Sequence, residues 1–304
     1  MQPNRKHLIV IVGPTAVGKT GIAIMLAREF HTEIISADSR QIYREMNIGT
    51  ARPSPDELAL VPHHFIGSQS ISSAYNAAQY GEEALAKIEQ LFTLHDQLIL
   101  CGGSGLYVKA ICDGFDDIPD VSAEIRKGLN EQYEKNGLIW LQEKMKELDP
   151  KHFVQIDQQN PQRLIRALEV ILGTGASIST FQNKSTATRP FNIIKIGLSM
   201  DREKLYNRIN ARMDRMIERG LFEEARQLYP FKNYNALRTV GYQEIFDYFD
   251  GRYDRDEAVR LLKQNSRRYA KRQLTWFQKD KSIKWFDVNE VDGLIPWIKD
   301  QINY

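Results

Sequence analysis

Apolar residues in the first hundred positions follow two alternating periods. Leu8 to Val12 is an unbroken apolar run of strand length, Gly18 to Phe30 has helical spacing at Ile22, Leu26 and Phe30, and Glu33 to Ala37 is apolar again. A second unit repeats the logic, with a helix predicted over Ala77 to Phe92 and a buried strand over Gln97 to Cys101. Continuous apolar strands separated by helices predict an α/β fold with a parallel sheet. The pattern changes after Asp113. Asp113 to Asp120 is acidic and turn-rich, and two or three polar helices follow up to about Leu172. One of these is well delimited, with Asn160 as N-cap, Pro161 at the first helical position and Gly173 as its stop. Gly173 to Pro190 has few large apolar residues and reads as a mobile surface segment. A further strand, Asn192 to Leu198, resumes the α/β pattern, and the remainder reads as helical. Leu205, Ile209, Met213 and Met216 mark one apolar face there, and Leu262, Tyr269 and Trp276 another. The expected organisation is a P-loop NTPase-like parallel sheet flanked by helices, over 1–113 and 191–304, with an all-helical insertion over 114–190.

Composition narrows the class. The chain has 304 residues, 42% apolar and 26% charged, enough to bury a sizeable core. Lys and Arg number 41 against 39 Asp and Glu, a net charge of +2, so a polyanion must be held by a local cluster and not by the overall field. Cys101 and Cys112 have no metal-ligand spacing, so a reducing cytoplasm is expected. Arg5 and Lys6 before an apolar stretch could mimic a secretory signal, but the stretch ends at Val12 in a Gly-Pro turn and reads better as a strand. No run approaches the ~20 apolar residues of a bilayer span, so no membrane insertion is expected.

Gly13-Pro14-Thr15-Ala16-Val17-Gly18-Lys19-Thr20 fits G-x-x-x-x-G-K-[ST] directly after a predicted strand and at the start of a helix. Its amides can turn inward on a phosphate chain, Lys19 supplies a point charge, Thr20 can hold Mg²⁺, and the helix N-terminus adds a positive dipole. Kinases, NTPases and transferases that release diphosphate all need such a cradle. The second strand ends near Asp38-Ser39-Arg40-Gln41. In a parallel sheet the carboxyl ends of neighbouring strands share one edge, so Asp38 is expected in the crevice with Lys19. It could hold Mg²⁺, contact an acceptor, take a proton from a nucleophile, or cap the following segment. Gly102-Gly103-Ser104-Gly105, again between strand and helix, joins the same site.

Seven segments in order, GPTAVGKT (Gly13 to Thr20), DSRQIY (Asp38 to Tyr43), IGTARP (Ile48 to Pro53), GGSGLY (Gly102 to Tyr107), NPQRLIRALEV (Asn160 to Val170), RTVGYQE (Arg238 to Glu244) and AKRQLTWF (Ala270 to Phe277), resemble the bacterial tRNA dimethylallyltransferases. The resemblance spans nearly the whole chain. It implies transfer of a dimethylallyl group from dimethylallyl diphosphate to N6 of the adenosine just 3′ of the anticodon, by a monomer that binds the tRNA anticodon stem-loop. Two departures are Ser104, where the family usually has Thr, and Glu45, where Gly is common after IY.

An exocyclic adenine amine is a poor nucleophile, so a positioned base must remove a proton as the C–N bond forms. Asp38 is the candidate, and the resemblance agrees. Charge grows on the departing diphosphate, and the loop amides, Lys19, Thr15 and Thr20 with Mg²⁺ would meet it from one side. Arg208, Arg212, Arg215 and Arg219 share a helical face. Three of them read as a solvated stripe paired with Asp214 and Glu218, while the resemblance singles out Arg212 as diphosphate ligand. From Lys263 to Lys284 eight basic residues stand against one acidic, a local charge of +7. Arg267, Arg268, Lys271 and Arg272 in this run are candidate RNA contacts, and the interleaved Tyr269, Trp276, Phe277 and Trp285 read mostly as packing. The resemblance adds Ser39, Arg40, Gln41 and Ser104 beside Asp38. It also adds Gln162, Arg163, Leu164, Ile165 and Arg166 in the insertion, and Arg238, Thr239, Val240, Gly241, Tyr242 and Gln243. The six histidines form no ligand pair at helical spacing and read as surface or core residues. Two rival functions remain at the level of the cradle alone: a P-loop kinase of small molecules, and an RNA-binding NTPase.

Overall fold

A computed structural model describes residues 6–182 and 187–303. Along the chain come β1 (His7–Val12), α1 (Lys19–Glu29), β2 (Ile34–Ser36), α2 (Pro55–Leu60), β3 (His63–His64), α3 (Ala77–Phe92), β4 (Gln97–Cys101) and α4 (Gly105–Cys112). Three helices follow: α5 (Ala123–Leu148), α6 (Pro150–Phe153) and α7 (Pro161–Thr174). The chain ends with β5 (Asn192–Ser199), α8 (Arg202–Glu218), α9 (Leu221–Leu228), α10 (Gln243–Phe249), α11 (Arg255–Phe277), β6 (Lys284–Asp287) and α12 (Leu294–Asn303). Two compact units result, Met1–Cys112 with Thr188–Tyr304, and Asp113–Ala187.

The first unit is built on a parallel sheet of six strands in the order β3-β2-β4-β1-β5-β6. Period-two burial explains its two cores. Leu8, Val10 and Val12 of β1 and Leu98 and Leu100 of β4 join one apolar cluster, while Ile9, Ile11 and Ile99 join another on the opposite face. Helices cover both faces, which is why the strands carry no polar alternation. The apolar positions of α8 divide between these clusters, Leu205 and Ile209 in one and Met213 and Met216 in the other. That helix therefore bridges the two cores and holds its basic face away from both. In the 113–187 unit, α5 and α7 pack around Leu129, Leu141, Met145, Leu164, Ile165 and Leu168.

Several expectations need correction. Lys284–Asp287 is a strand at the sheet edge and not part of a wholly helical remainder. Gly173 lies inside α7, where a Cβ would press on Val121 at 2.3 Å, and the helix instead stops at Gly175, whose φ of 74° suits glycine. Ile178–Phe181 forms a 3₁₀ turn with Ile178 buried in the segment read as mobile, of which residues 183–186 lie outside the described residues, as does Arg5. Of Leu262, Tyr269 and Trp276, only Leu262 is core, and Trp276 is 38% exposed.

Candidate active site

Three loops meet where β1, β2 and β4 end. The first runs from Gly13 into α1, the second carries Asp38, and the third follows Cys101. Close approach of the last two requires Gly102, since a Cβ there would stand 2.0 Å from the Ala37 carbonyl oxygen. A cavity of about 550 Å³ opens over this edge, lined by Thr15, Lys19, Thr20, Asp38, Arg212 and Gln273 among others. Its cations exceed its anions: Lys19, Arg40, Arg208, Arg212 and Arg215 face it against Asp38 and Glu57. A second cavity of about 480 Å³ is walled by Tyr43, Tyr75, Tyr107, Tyr269 and Trp276. Arg40, Tyr269 and Gln273 line both.

The electrostatics follow from burial and like charge. The Lys19 ammonium donates to the carbonyls of Gly13 (3.0 Å) and Pro14 (2.8 Å). Burial pushes its pKa down to about 8, Cys101 and Asp38 oppose the fall, and Arg212 adds to it. Burial also lowers the Arg212 pKa, the nearby Asp38 raises it and Arg215 lowers it. Asp38 Oδ1 accepts the backbone N–H groups of Arg40 (2.9 Å) and Gln41 (3.2 Å), so one oxygen of the carboxylate caps the turn that follows it. The Ser104 hydroxyl accepts the Ser39 N–H at 2.9 Å and donates to the Ser39 hydroxyl at 3.0 Å, tying the second loop to the third.

A family model described as IPP transferase matches residues 41–280. The chain belongs to the IPP transferase family. A protein of Christiangramia forsetii named tRNA dimethylallyltransferase is 52% identical over 98% of this chain and 99% of its own. The full-length tRNA isopentenylpyrophosphate transferase of Bacillus halodurans superposes with a TM-score of 0.73 at 38% identity, covering 98% of this chain and 97% of that one. A eukaryotic dimethylallyltransferase acting on tRNA shares the fold, with a TM-score of 0.80 at 24% identity over 98% of this chain and 80% of that one.

As a member of the IPP transferase family, the chain is an enzyme, and its sequence-derived candidates can be placed on the fold. Thr15, Ala16, Gly18, Lys19 and Thr20 line the first cavity. Gly13 and Pro14 instead offer carbonyls to Lys19, and the Val17 side chain is buried in the core. Asp38, Arg40 and Gln41 line the first cavity, and Ser39, Arg40 and Ser104 the second. Gln41 donates its amide to the carbonyls of Thr50 (3.2 Å) and Ala51 (3.1 Å), which fixes a turn on the cavity wall. Thr239, Val240 and Gly241 line the same cavity, and Arg238 and Gln243 are exposed. Tyr242 is not an available RNA contact: it is fully buried, and its hydroxyl donates to Glu224 at 2.6 Å. That carboxylate also accepts the N–H groups of Asn47, Ile48 and Gly49, so Glu224 and Tyr242 set the wall behind Thr50.

The basic residues divide similarly. Arg208, Arg215 and Arg219 are exposed, as a solvated stripe would be, but Arg208 and Arg215 also line the cavity with Arg212, and Asp214 binds Lys263 at 2.6 Å. Arg272 lines the second cavity, Arg268 and Lys271 are exposed, and Arg267 is held at 2.6 Å by Asn210. In the 113–187 unit Gln162 and Arg163 are exposed, and Arg166 pairs with the buried Glu169 at 3.3 Å. Leu164 and Ile165 are fully buried and cannot present side chains to RNA. They supply the apolar stripe of α7, whose exposed face carries the neighbouring polar residues.

Sequence reasoning missed Gln273, Glu224, and the use of Tyr269 and Trp276 as cavity walls. A signal existed for Gln273: it lies on the stripe of α11 that buries Ser266, Ala270 and Phe277, where a polar residue needs a partner.

Proposed function

We propose that the chain transfers the dimethylallyl group of dimethylallyl diphosphate to N6 of the adenosine 3′ of the anticodon, position 37, in tRNA. The observation that carries this reading is the Asp38 carboxylate in the wall of the cation-rich cavity over the phosphate-cradle loop, in a chain whose relatives bear the name tRNA dimethylallyltransferase. The N6 lone pair attacks C1 of the allyl group, and the C1–O bond breaks with its electron pair leaving on diphosphate. The N6 proton passes to Asp38 and then to water. Lys19, Arg212 and the loop amides meet the charge that grows on the leaving group. The acceptor base approaches from the second cavity, where ring faces worth about 1–3 kcal/mol per stacked base offset an extrusion cost of a few kcal/mol.

Among the described residues no group of three or more His, Cys, Asp or Glu is placed to hold a metal ion. A magnesium ion accompanying the diphosphate would be held by the Thr20 hydroxyl, which lines the cavity. When bound it would neutralise charge on the phosphate oxygens. Among the described residues no helix is long and apolar enough to cross a membrane. A cytoplasmic location is part of this reading because its acceptor is a cytoplasmic RNA, and so is a monomeric state.

The decisive assay supplies labelled dimethylallyl diphosphate or γ-labelled ATP, with and without tRNA. Label moving from the allyl donor to tRNA is expected. Phosphoryl transfer from ATP would favour the kinase, and tRNA-stimulated ATP hydrolysis the NTPase. The basic face of α11 is expected to meet the RNA backbone. Neutralising Arg267, Arg268, Lys271 and Arg272 together should flatten the salt dependence of tRNA binding by ~0.7 to 0.9 in log-log slope for each phosphate that the protein no longer neutralises. Most of the change should come from the last three, because Arg267 is already engaged by Asn210. Filter binding at several salt concentrations reads the slope, and an unchanged slope would remove this face from the RNA interface.

A further inference from the structure

Gln273 is the one polar side chain that joins the phosphate loop to the third glycine-rich loop through both ends of its amide, among the hydrogen bonds of the described residues. It is 6% exposed. Its Oε1 accepts the Thr15 backbone N–H at 2.8 Å, and its Nε2 donates to the Gly103 carbonyl at 2.9 Å. Only one orientation of the amide satisfies both partners, with the oxygen accepting at one end and the NH₂ donating at the other. The approach is so close that a Cβ on residue 103 would stand 2.3 Å from Nε2. Gln273 also lies on the wall shared by the cation-rich cavity and the aromatic one.

We propose that Gln273 is a positioning residue that fixes the diphosphate half-site relative to the acceptor half-site, holding C1 of the donor in line with N6 of the base. This rests on the transfer reaction proposed above. A residue that holds the donor alone or the acceptor alone equally in the ground and transition states would show itself in one Michaelis constant. A residue that sets the alignment between them acts on the step in which both meet, and a displacement of about 1 Å at that step can cost on the order of 100-fold.

Gln273→Ala and Gln273→Glu in the full-length chain are compared with wild type, using dimethylallyl diphosphate and tRNA transcript. For Gln273→Ala, kcat is expected to fall about 10- to 100-fold, with both KM values within about threefold and most of the thermal transition temperature retained. Gln273→Glu adds a readout that a purely structural role would not move. Its carboxylate can still accept from Thr15 but cannot donate to Gly103, whereas the protonated acid can do both. Relative to wild type its kcat should therefore recover as pH is lowered from 8 towards 5.5.

An unchanged kcat in Gln273→Ala would overturn the proposal. So would a rise confined to one KM, which would make Gln273 a ligand of that substrate. If Gln273→Ala does not fold, the pH profile of Gln273→Glu decides, and a profile parallel to wild type overturns the alignment role. Absence of transfer by the wild-type chain would refute the reaction itself, an outcome distinct from normal wild-type turnover with an unaffected Gln273→Ala.

Discussion

Asp38→Ala is expected to lower single-turnover transfer at saturating tRNA and donor by about 10²- to 10⁴-fold, the range associated with loss of a general base, while tRNA binding stays nearly intact. The alanine variant alone is ambiguous, because Asp38 Oδ1 also accepts the N–H groups of Arg40 and Gln41. Losing that cap would release the turn that carries both residues and blur a chemical defect into a structural one. Asp38→Asn resolves the ambiguity. Its amide oxygen can keep both backbone hydrogen bonds, and asparagine is as good a cap as aspartate, yet it cannot take a proton. Equal losses in the two variants point to proton transfer. A near-wild-type rate in Asp38→Asn would make capping the whole contribution of Asp38 and leave the base unassigned.

What was legible in the sequence follows from how local the determinants are. Ala77–Phe92 and Gln97–Cys101 have the bounds that the apolar pattern predicted. Asn76 and Gln79 close a reciprocal capping box at the start of the helix, and the strand is apolar from Leu98 onward, between a polar turn and a glycine. The strand Lys284–Asp287 was not legible, because four residues at a sheet edge take their conformation from pairing with Ile196 to Ser199 and not from their own pattern. The cradle could be read from its motif, and the edge that brings Asp38 beside it from the rule that parallel strands end at one edge.

The walls of the site could not be read in that way. Tyr269 and Trp276 have core-like helical spacing, and only the position of the third loop opposite α11 turns that face into a cavity lining. Leu164 and Ile165 show the opposite error, in which a motif taken whole assigned RNA contact to residues that the helix buries completely. Within a helical motif, the burial stripe decides which members can reach a ligand. Glu224 stands far from the loop it organises in sequence, and its three backbone hydrogen bonds have no sequence signature.

Lys19→Ala and Arg212→Ala are each expected to slow transfer by about 10²- to 10³-fold, the cost of removing one preorganised donor to a developing anion. Arg212→Lys should recover only part of the loss, since it keeps the charge but not the planar fork. Arg215→Ala, on the same cavity wall but exposed, should lose less because water screens its charge. Equal losses at 212 and 215 would replace the specific clamp by a diffuse field. Lys19 adds a dependence on pH whose sign is fixed by its pKa of about 8. Below that value the ammonium is already charged in the free protein, so diphosphate binds without proton uptake. Above it the free lysine is neutral, and binding must first recruit a proton, so apparent affinity falls as pH rises and the slope of log K against pH tends towards −1. Calorimetric titration of inorganic diphosphate between pH 7 and 9.5, in buffers of different ionisation enthalpy, measures both the affinity and the proton uptake. The part of the slope and of the proton uptake due to Lys19 should vanish in Lys19→Ala, leaving only that of the diphosphate's own ionisation. A flat wild-type profile without proton uptake would show that Lys19 is not the group meeting the diphosphate.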